Sequence, residues 1–140
     1  MSYLIDTNVL SELRRREPDA NVVRWLEGRP ATTLYLSILT LGELRKGIEA
    51  LPESGRKRAL VDWLEVELPG FFAGRALPID ARVADRWGHL AAQTGRPVSA
   101  IDSLLAATAL THDLTLVTRN RRDFEYPGLA VIDPWSEATA

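Results

Sequence analysis

The sequence predicts a three-layer α/β/α sandwich, with helices on both faces of a central, mainly parallel sheet of about five strands. Three observations carry this expectation. Short apolar runs at 3–5, 34–37, 76–79, 114–117 and 130–132 read as strands. Stretches of helical spacing separate them, and strands alternating with helices pair in parallel through right-handed crossovers. The runs are apolar throughout rather than alternating, as befits strands covered on both faces.

Each element follows from its residues. "YLI" is a buried strand that ends at Asp6, after which Val9, Leu10 and Leu13 recur at helical spacing. Val22, Val23, Trp25 and Leu26 mark a second helix, and "LYLS" the second strand. Leu41, Leu44, Ile48 and Leu51 form a helical stripe closed by Pro52; Leu60, Val61, Leu64 and Leu68 form another, with Pro69 and Gly70 as its expected stop. "ALPI" is the third strand. Val83, Trp87 and Leu90 define a helix ended by Gly95 and Pro97, and Ile101, Leu104, Leu105 and Thr108 the next. "LTLV" and "AVI" complete the sheet. No repeat, low-complexity tract or linker interrupts the order, so residues 1–140 are read as one domain.

Composition narrows the function classes. Hydrophobic residues make up 46% and charged residues 26%, the balance of a folded globular chain. No apolar run reaches the roughly 20 residues of a membrane helix. Cysteine is absent, which excludes disulfides, thiolate metal sites and cysteine nucleophiles. With no signal-peptide pattern at the start, a cytoplasmic location is expected. The net charge of -2 does not suggest nucleic-acid binding, yet the bases are almost all arginine and cluster at Arg14, Arg15 and Arg16 and at Arg119, Arg121 and Arg122. Arginine makes bidentate contacts with phosphate that lysine cannot copy.

Open parallel sheets bind ligands beyond the carboxyl ends of their strands. Asp6 follows the first strand, Glu43 lies early in the helix after the second, Asp102 opens the helix "SAIDSLLAATAL", and Asn120 follows "LTLV". Each acid alone has a structural explanation. Thr40-x-x-Glu43 and Ser99-x-x-Asp102 fit the capping box, and Asp6 or Thr7 fits a helix cap. Together they suggest more, because crowded carboxylates repel and a bound cation relieves them. Oxygen donors without His or Cys select hard ions such as Mg²⁺ or Mn²⁺, and Mg²⁺ needs only one or two carboxylates beside its waters. Arg119, Arg121 and Arg122 flank Asn120 and are expected at the rim, where a polyanion would approach. His89 and His112 stand alone in helical stretches and are read as structural.

"LIDTNVL", "LSILTLGELRKGI", "SAIDSLLAATAL" and "LVTRNRRDF" resemble, in order, the motifs of the PIN-domain ribonucleases, and the likeness spans nearly the whole chain. The nearest group is similar to the VapC-type toxins of bacterial toxin–antitoxin pairs, including a FitB-like branch that the ending "VIDPW" also resembles. The resemblance implies a PIN-like fold and Asp6, Glu43 and Asp102 as the acids holding Mg²⁺ or Mn²⁺. It implies endoribonuclease activity, with a cation polarising a phosphoryl oxygen and activating a water. It also implies a homodimer, a cognate antitoxin, and contact with DNA only through that antitoxin. The alternative function is a PIN-fold binding module acting mainly in a DNA-bound complex with its partner.

Two other readings are weaker. "DTNVL" is one residue from a D-x-D-x-[TV] phosphatase motif, but Asn8 replaces the second acid. Asp80 after "ALPI" imitates a receiver-domain phosphoacceptor, but Lys46 and Lys57 are the only lysines and neither follows the last strand. Two finer expectations remain. The apolar residues of 39–72, ending in Phe71 and Phe72, exceed a single core-facing stripe and suggest a partner surface. Asn120 is expected to face the cation or substrate as a neutral group, with Asp123 turned toward a cap or the arginines.

Overall fold

The computed structural model describes residues 1–136. Five strands, β1 (Tyr3–Ile5), β2 (Leu34–Ser37), β3 (Ala76–Leu77), β4 (Thr115–Val117) and β5 (Val131–Ile132), form one sheet in the order β3-β2-β1-β4-β5. All four pairings are parallel, with Leu4 opposite both Tyr35 and Leu116. The first strand in sequence is therefore the middle one in space. The order reverses across β1, and the crevice at such a switch point lies at its carboxyl end.

Helices α1 (Thr7–Leu13), α2 (Ala20–Glu27), α3 (Ile38–Glu49), α4 (Gly55–Asp62) and α5 (Leu68–Phe71) precede β3; α6 (Ala81–Thr94) and α7 (Ala100–Thr111) lie between β3 and β4. The strand period of two divides the core. Tyr3, Ile5 and Val117 enter a cluster with Val9, Trp25, Leu44, Ile48 and Trp63. Leu4 and Leu116 enter the other, with Val83, Leu90, Leu105 and Phe124. Both faces are covered, which is why the strands read as continuous apolar runs. Among the described residues no helix is long and apolar enough to cross a membrane.

Three details depart from the sequence reading. β3 stops at Leu77, since Pro78 has no N–H to extend the ladder. Pro69 does not stop its helix. The chain passes from α4 through a π-helical stretch, Trp63–Glu67, in which Leu68 N–H bonds back to Trp63 O. Pro69 then enters at the start of α5, where a missing donor is tolerated. Finally, the apolar surplus of 39–72 is mostly absorbed within the chain. Leu44, Ile48, Leu60, Trp63, Leu64, Leu68 and Phe72 are buried, leaving Phe71 half exposed. α3 and the α4–α5 segment pack on each other and on the sheet, so the pattern does not itself require a second copy.

Candidate functional site

β1 delivers Asp6 to the switch point, where it has two jobs. Its Oδ1 caps α1 by accepting from Thr7 N–H at 2.7 Å. Its Oδ2 accepts the Thr118 hydroxyl at 2.8 Å, tying the end of β1 to the end of β4. Thr118 also accepts from Asn8 Nδ2 at 3.2 Å and from Asn120 N–H at 3.1 Å. One donor and two acceptors saturate a hydroxyl. This buried, fully used threonine holds Asp6 in one orientation.

Glu43 does not cap its helix. Ser37 is the N-cap of α3, accepting from Leu39 N–H at 3.1 Å. Thr40, the expected partner in the box, is buried with its Oγ1 lacking a hydrogen-bond partner among the described residues. Glu43 instead leaves the helix surface and accepts the Thr7 hydroxyl at 2.6 Å. Asp102 lies in the first turn of α7, whose N-cap is Ser99 bonding Asp102 N–H at 3.3 Å. The neighbouring Ser103 turns into the interior and accepts from Trp87 Nε1 at 2.8 Å, fixing the rotation of α7 against α6. Asp102 is consequently carried to the outer side, toward the sheet edge.

These elements enclose a cleft of about 440 Å³ lined by Asp6, Glu43, Asp102, Asn120, Arg15 and Arg119, with Thr7, Asn8, Ser11, Glu12 and Trp135. The three predicted acids and Asn120 thus share one concavity. Among the predicted arginines only Arg119 lines it. Arg121 and Arg122 sit exposed in the short 3-10 turn Arg121–Phe124, and Arg121 reaches back to Val131 O. Arg15 takes up a place on the rim that was expected of the later cluster. Neither His89, exposed and 3.6 Å from Asp85, nor His112, at the end of α7, lines the cleft.

The electrostatics are those of crowded acids. Burial pushes the Asp6 carboxyl above its ordinary range, against the pull of its bonds to Thr118 and Thr7, and the charges of Glu43 and Asp123 add to the rise. Asp102 is raised to about 6 by burial first and then by Asp6, Asp123 and Glu43. Asp123 therefore acts on the cluster, and on Asp102 ahead of Glu43. Asp123 is exposed in the 3-10 turn, where its N–H bonds Asn120 O at 3.0 Å, and it does not line the cleft.

Among the described residues, no three His, Cys, Asp or Glu side chains close into a ready metal cage. The donors nevertheless suit a hard cation. They are oxygen only, they repel one another, and the open cleft leaves room for the waters that Mg²⁺ retains.

An apolar groove lies near the acidic cleft, linked to it through shared lining residues. This groove, of about 570 Å³ and lined by Leu10, Leu13, Val23, Leu26 and Phe71, shares Arg14 and Trp63 with a smaller hollow, and that hollow shares Ser11 and Glu43 with the cleft.

Comparison with known proteins agrees with this architecture. The PIN domain family pattern matches residues 3–128. The chain is 39% identical to the VapC ribonuclease Y4jK of Sinorhizobium fredii over 96% of its own length and 99% of the relative's. It is likewise 39% identical to the toxin FitB of Neisseria gonorrhoeae, over 96% of this chain and 99% of that one. A solved structure of FitAB bound to an IR36 DNA fragment superposes with a TM-score of 0.87 at 37% identity, covering 95% of each chain.

Proposed function

The chain belongs to the PIN-domain family, and we propose that within it this protein is a Mg²⁺- or Mn²⁺-dependent endoribonuclease, the toxin of a toxin–antitoxin pair. The observation that carries the proposal is the convergence of Asp6, Glu43 and Asp102, from three separate elements, on one cleft. Two of these acids accept hydrogen bonds from threonine hydroxyls. The relatives named above, a ribonuclease and a toxin, support the same activity.

Asp6, Glu43 and Asp102 would hold the cation, with Asp123 adding negative charge and Asn120 a neutral donor. When bound, the cation supplies Lewis-acid activation of a phosphate oxygen and of a water. The chain's own residues do the rest. Thr118 and Thr7 orient the carboxylates, and orientation of this kind keeps a ligand set ready for its metal. Arg119 and Arg15 give the rim positive charge that draws a polyanion toward an otherwise repulsive cleft.

The groove gives the partner its seat. An antitoxin segment with apolar side chains fits the groove, and a basic side chain at its end would pass the shared hollow and reach Glu43. Such a segment blocks the acids by charge neutralisation. DNA would be met through the partner, as the acidic cleft and the net charge of -2 disfavour direct contact. The proposal includes a homodimer, for which exposed Ile38, Val66 and Phe71 are candidate contacts.

Expression in a bacterial host tests the whole reading. The chain should arrest growth with loss of intact RNA, the partner gene product should relieve the arrest, and Asp102→Asn should be harmless at equal protein level. Unimpaired growth with wild-type chain alone would sink it.

A further inference from the structure

Trp135 is set apart by its place at the acidic cleft rather than by a cation on its ring, since Arg29 lies 4.0 Å from the Trp25 centroid and Arg14 5.3 Å from that of Trp63. Trp25 and Trp63 are buried, at 2% and 8% exposure, as core residues should be. Trp135 is only partly buried, packs one side on the first core cluster, and is the one aromatic residue among those described as lining the acidic cleft. Its backbone is held at both polar groups. Asp133 Oδ1 accepts its N–H at 2.9 Å, and its carbonyl accepts Asn21 Nδ2 at 2.9 Å, linking it to α2. The Arg119 guanidinium lies over its ring, 4.9 Å from the centroid. Arg119 in turn is anchored by its own N–H to Asn8 Oδ1 at 3.4 Å, within the network that orients Asp6.

Arginine–indole pairs also occur at Trp25 and Trp63, but neither of these tryptophans, nor the partly buried Trp87, lines the acidic cleft; among the described residues only the Trp135–Arg119 pair has both members there. A flat, amphipathic pair fixed at the lip of a cleft is the device by which proteins hold unpaired bases, since every base has a π-face and both indole and guanidinium planes accept it. The cleft, at about 440 Å³, falls within the roughly 300–1,000 Å³ range of small-ligand sites.

Building on the ribonuclease reading, we propose that Trp135 and Arg119 form a stacking platform for one unpaired base of a single-stranded RNA beside the phosphate to be cut. Both are positioning residues. The platform selects unpaired over duplex RNA, because a paired base cannot offer its face. Being sequence-tolerant, it sets the register of cutting more than the identity of the base.

The test is binding of a single-stranded decaribonucleotide in chelator, so that nothing is cut, followed by cleavage kinetics with Mg²⁺. Binding should quench a part of the fluorescence that is missing in Trp135→Phe. Trp135→Ala should weaken binding about tenfold or more, the scale of one stacked base, with Trp135→Phe recovering most of it. Arg119→Lys, which keeps the charge and loses the plane, should weaken binding less than Trp135→Ala and raise KM with kcat little changed. An RNA carrying one abasic position in the bound register should no longer distinguish wild type from Trp135→Ala. Wild-type cleavage with unchanged binding in Trp135→Ala and no quenching would overturn the platform while leaving the ribonuclease standing. Loss of antitoxin binding alone, with RNA binding intact, would overturn it too, by assigning Trp135 to the partner. Wild-type protein that neither binds nor cleaves RNA would remove both readings.

Discussion

Thr118 donates its hydroxyl to Asp6 at 2.8 Å across a sequence separation of 112 residues, and both side chains are buried. The bond joins the carboxyl ends of the two central strands and gives a carboxylate in a dry position one of its few donors. Thr118→Val keeps the shape and removes the donor. It should cost about 1–3 kcal/mol in urea unfolding, the range for a buried polar group left unsatisfied. The loss should be larger at pH 8 than at pH 4, because the missing donor penalises the ionised carboxylate. Thr118→Ser should recover most of it. Equal losses at both pH values would mean that Asp6 does not depend on this bond.

Thr7 plays the corresponding part for Glu43, at 2.6 Å, but at a partly exposed position. Thr7→Val should therefore leave stability within about 0.5 kcal/mol, as for a surface change. RNA cleavage should fall about 10–100-fold, the usual cost of losing a group that orients a metal ligand. Rates equal to wild type would show that Glu43 needs no such support.

Much of this was legible in the sequence, for identifiable reasons. β1 and β2 begin and end where the quoted runs "YLI" and "LYLS" do, because strands covered on both faces are apolar along nearly their whole length. Asp6, Glu43, Asp102 and Asn120 could be brought to one edge on paper because parallel topology sends every strand's carboxyl end the same way. What escaped depends on three-dimensional register. Thr40 and Glu43 have capping-box spacing, yet Ser37 had already capped the helix. Pro69 reads as a stop unless the π-helical turn before it is known. Trp135 is held beside the cleft by Asp133 and by a bond from Asn21, 114 residues earlier, a partner that spacing along the chain does not announce.

Asp102 provides a pH signature. Its folded-state value near 6 lies above the ordinary 3.8, so the metal-free protein holds a proton here that the unfolded chain releases earlier. Stability without metal should be retained below about pH 4 and decline as pH rises through 6. Asp102→Asn removes this decline. At pH 7 and without metal it should be more stable than wild type by about 1 kcal/mol, since a half-exposed carboxylate is partly screened by water. A role limited to helix capping predicts the reverse, a loss of about 0.5–2 kcal/mol.

Asn120 and Asp123 separate by calorimetric titration with Mn²⁺. Asn120→Asp adds a charge beside Asp6 and should tighten binding in the absence of RNA. Asp123→Asn removes a charge that acts on both Asp6 and Asp102, and should weaken it. If Asp123→Asn left affinity unchanged, its carboxylate would be a bystander at the rim.

The claim on which the rest depends is that Asp6, Glu43 and Asp102 hold a divalent cation for RNA cleavage. It is tested most directly by the initial rate on an end-labelled single-stranded RNA, measured for purified wild type and Asp102→Asn across a Mg²⁺ and Mn²⁺ titration, with circular dichroism confirming the fold of both. Wild type should be inactive in chelator and recover saturably with either ion. Asp102→Asn should stay more than about 100-fold slower at the same ion concentrations, beyond what loss of an orienting group alone produces. Cleavage by wild type at full rate in chelator, or by folded Asp102→Asn at the wild-type rate, would contradict the account.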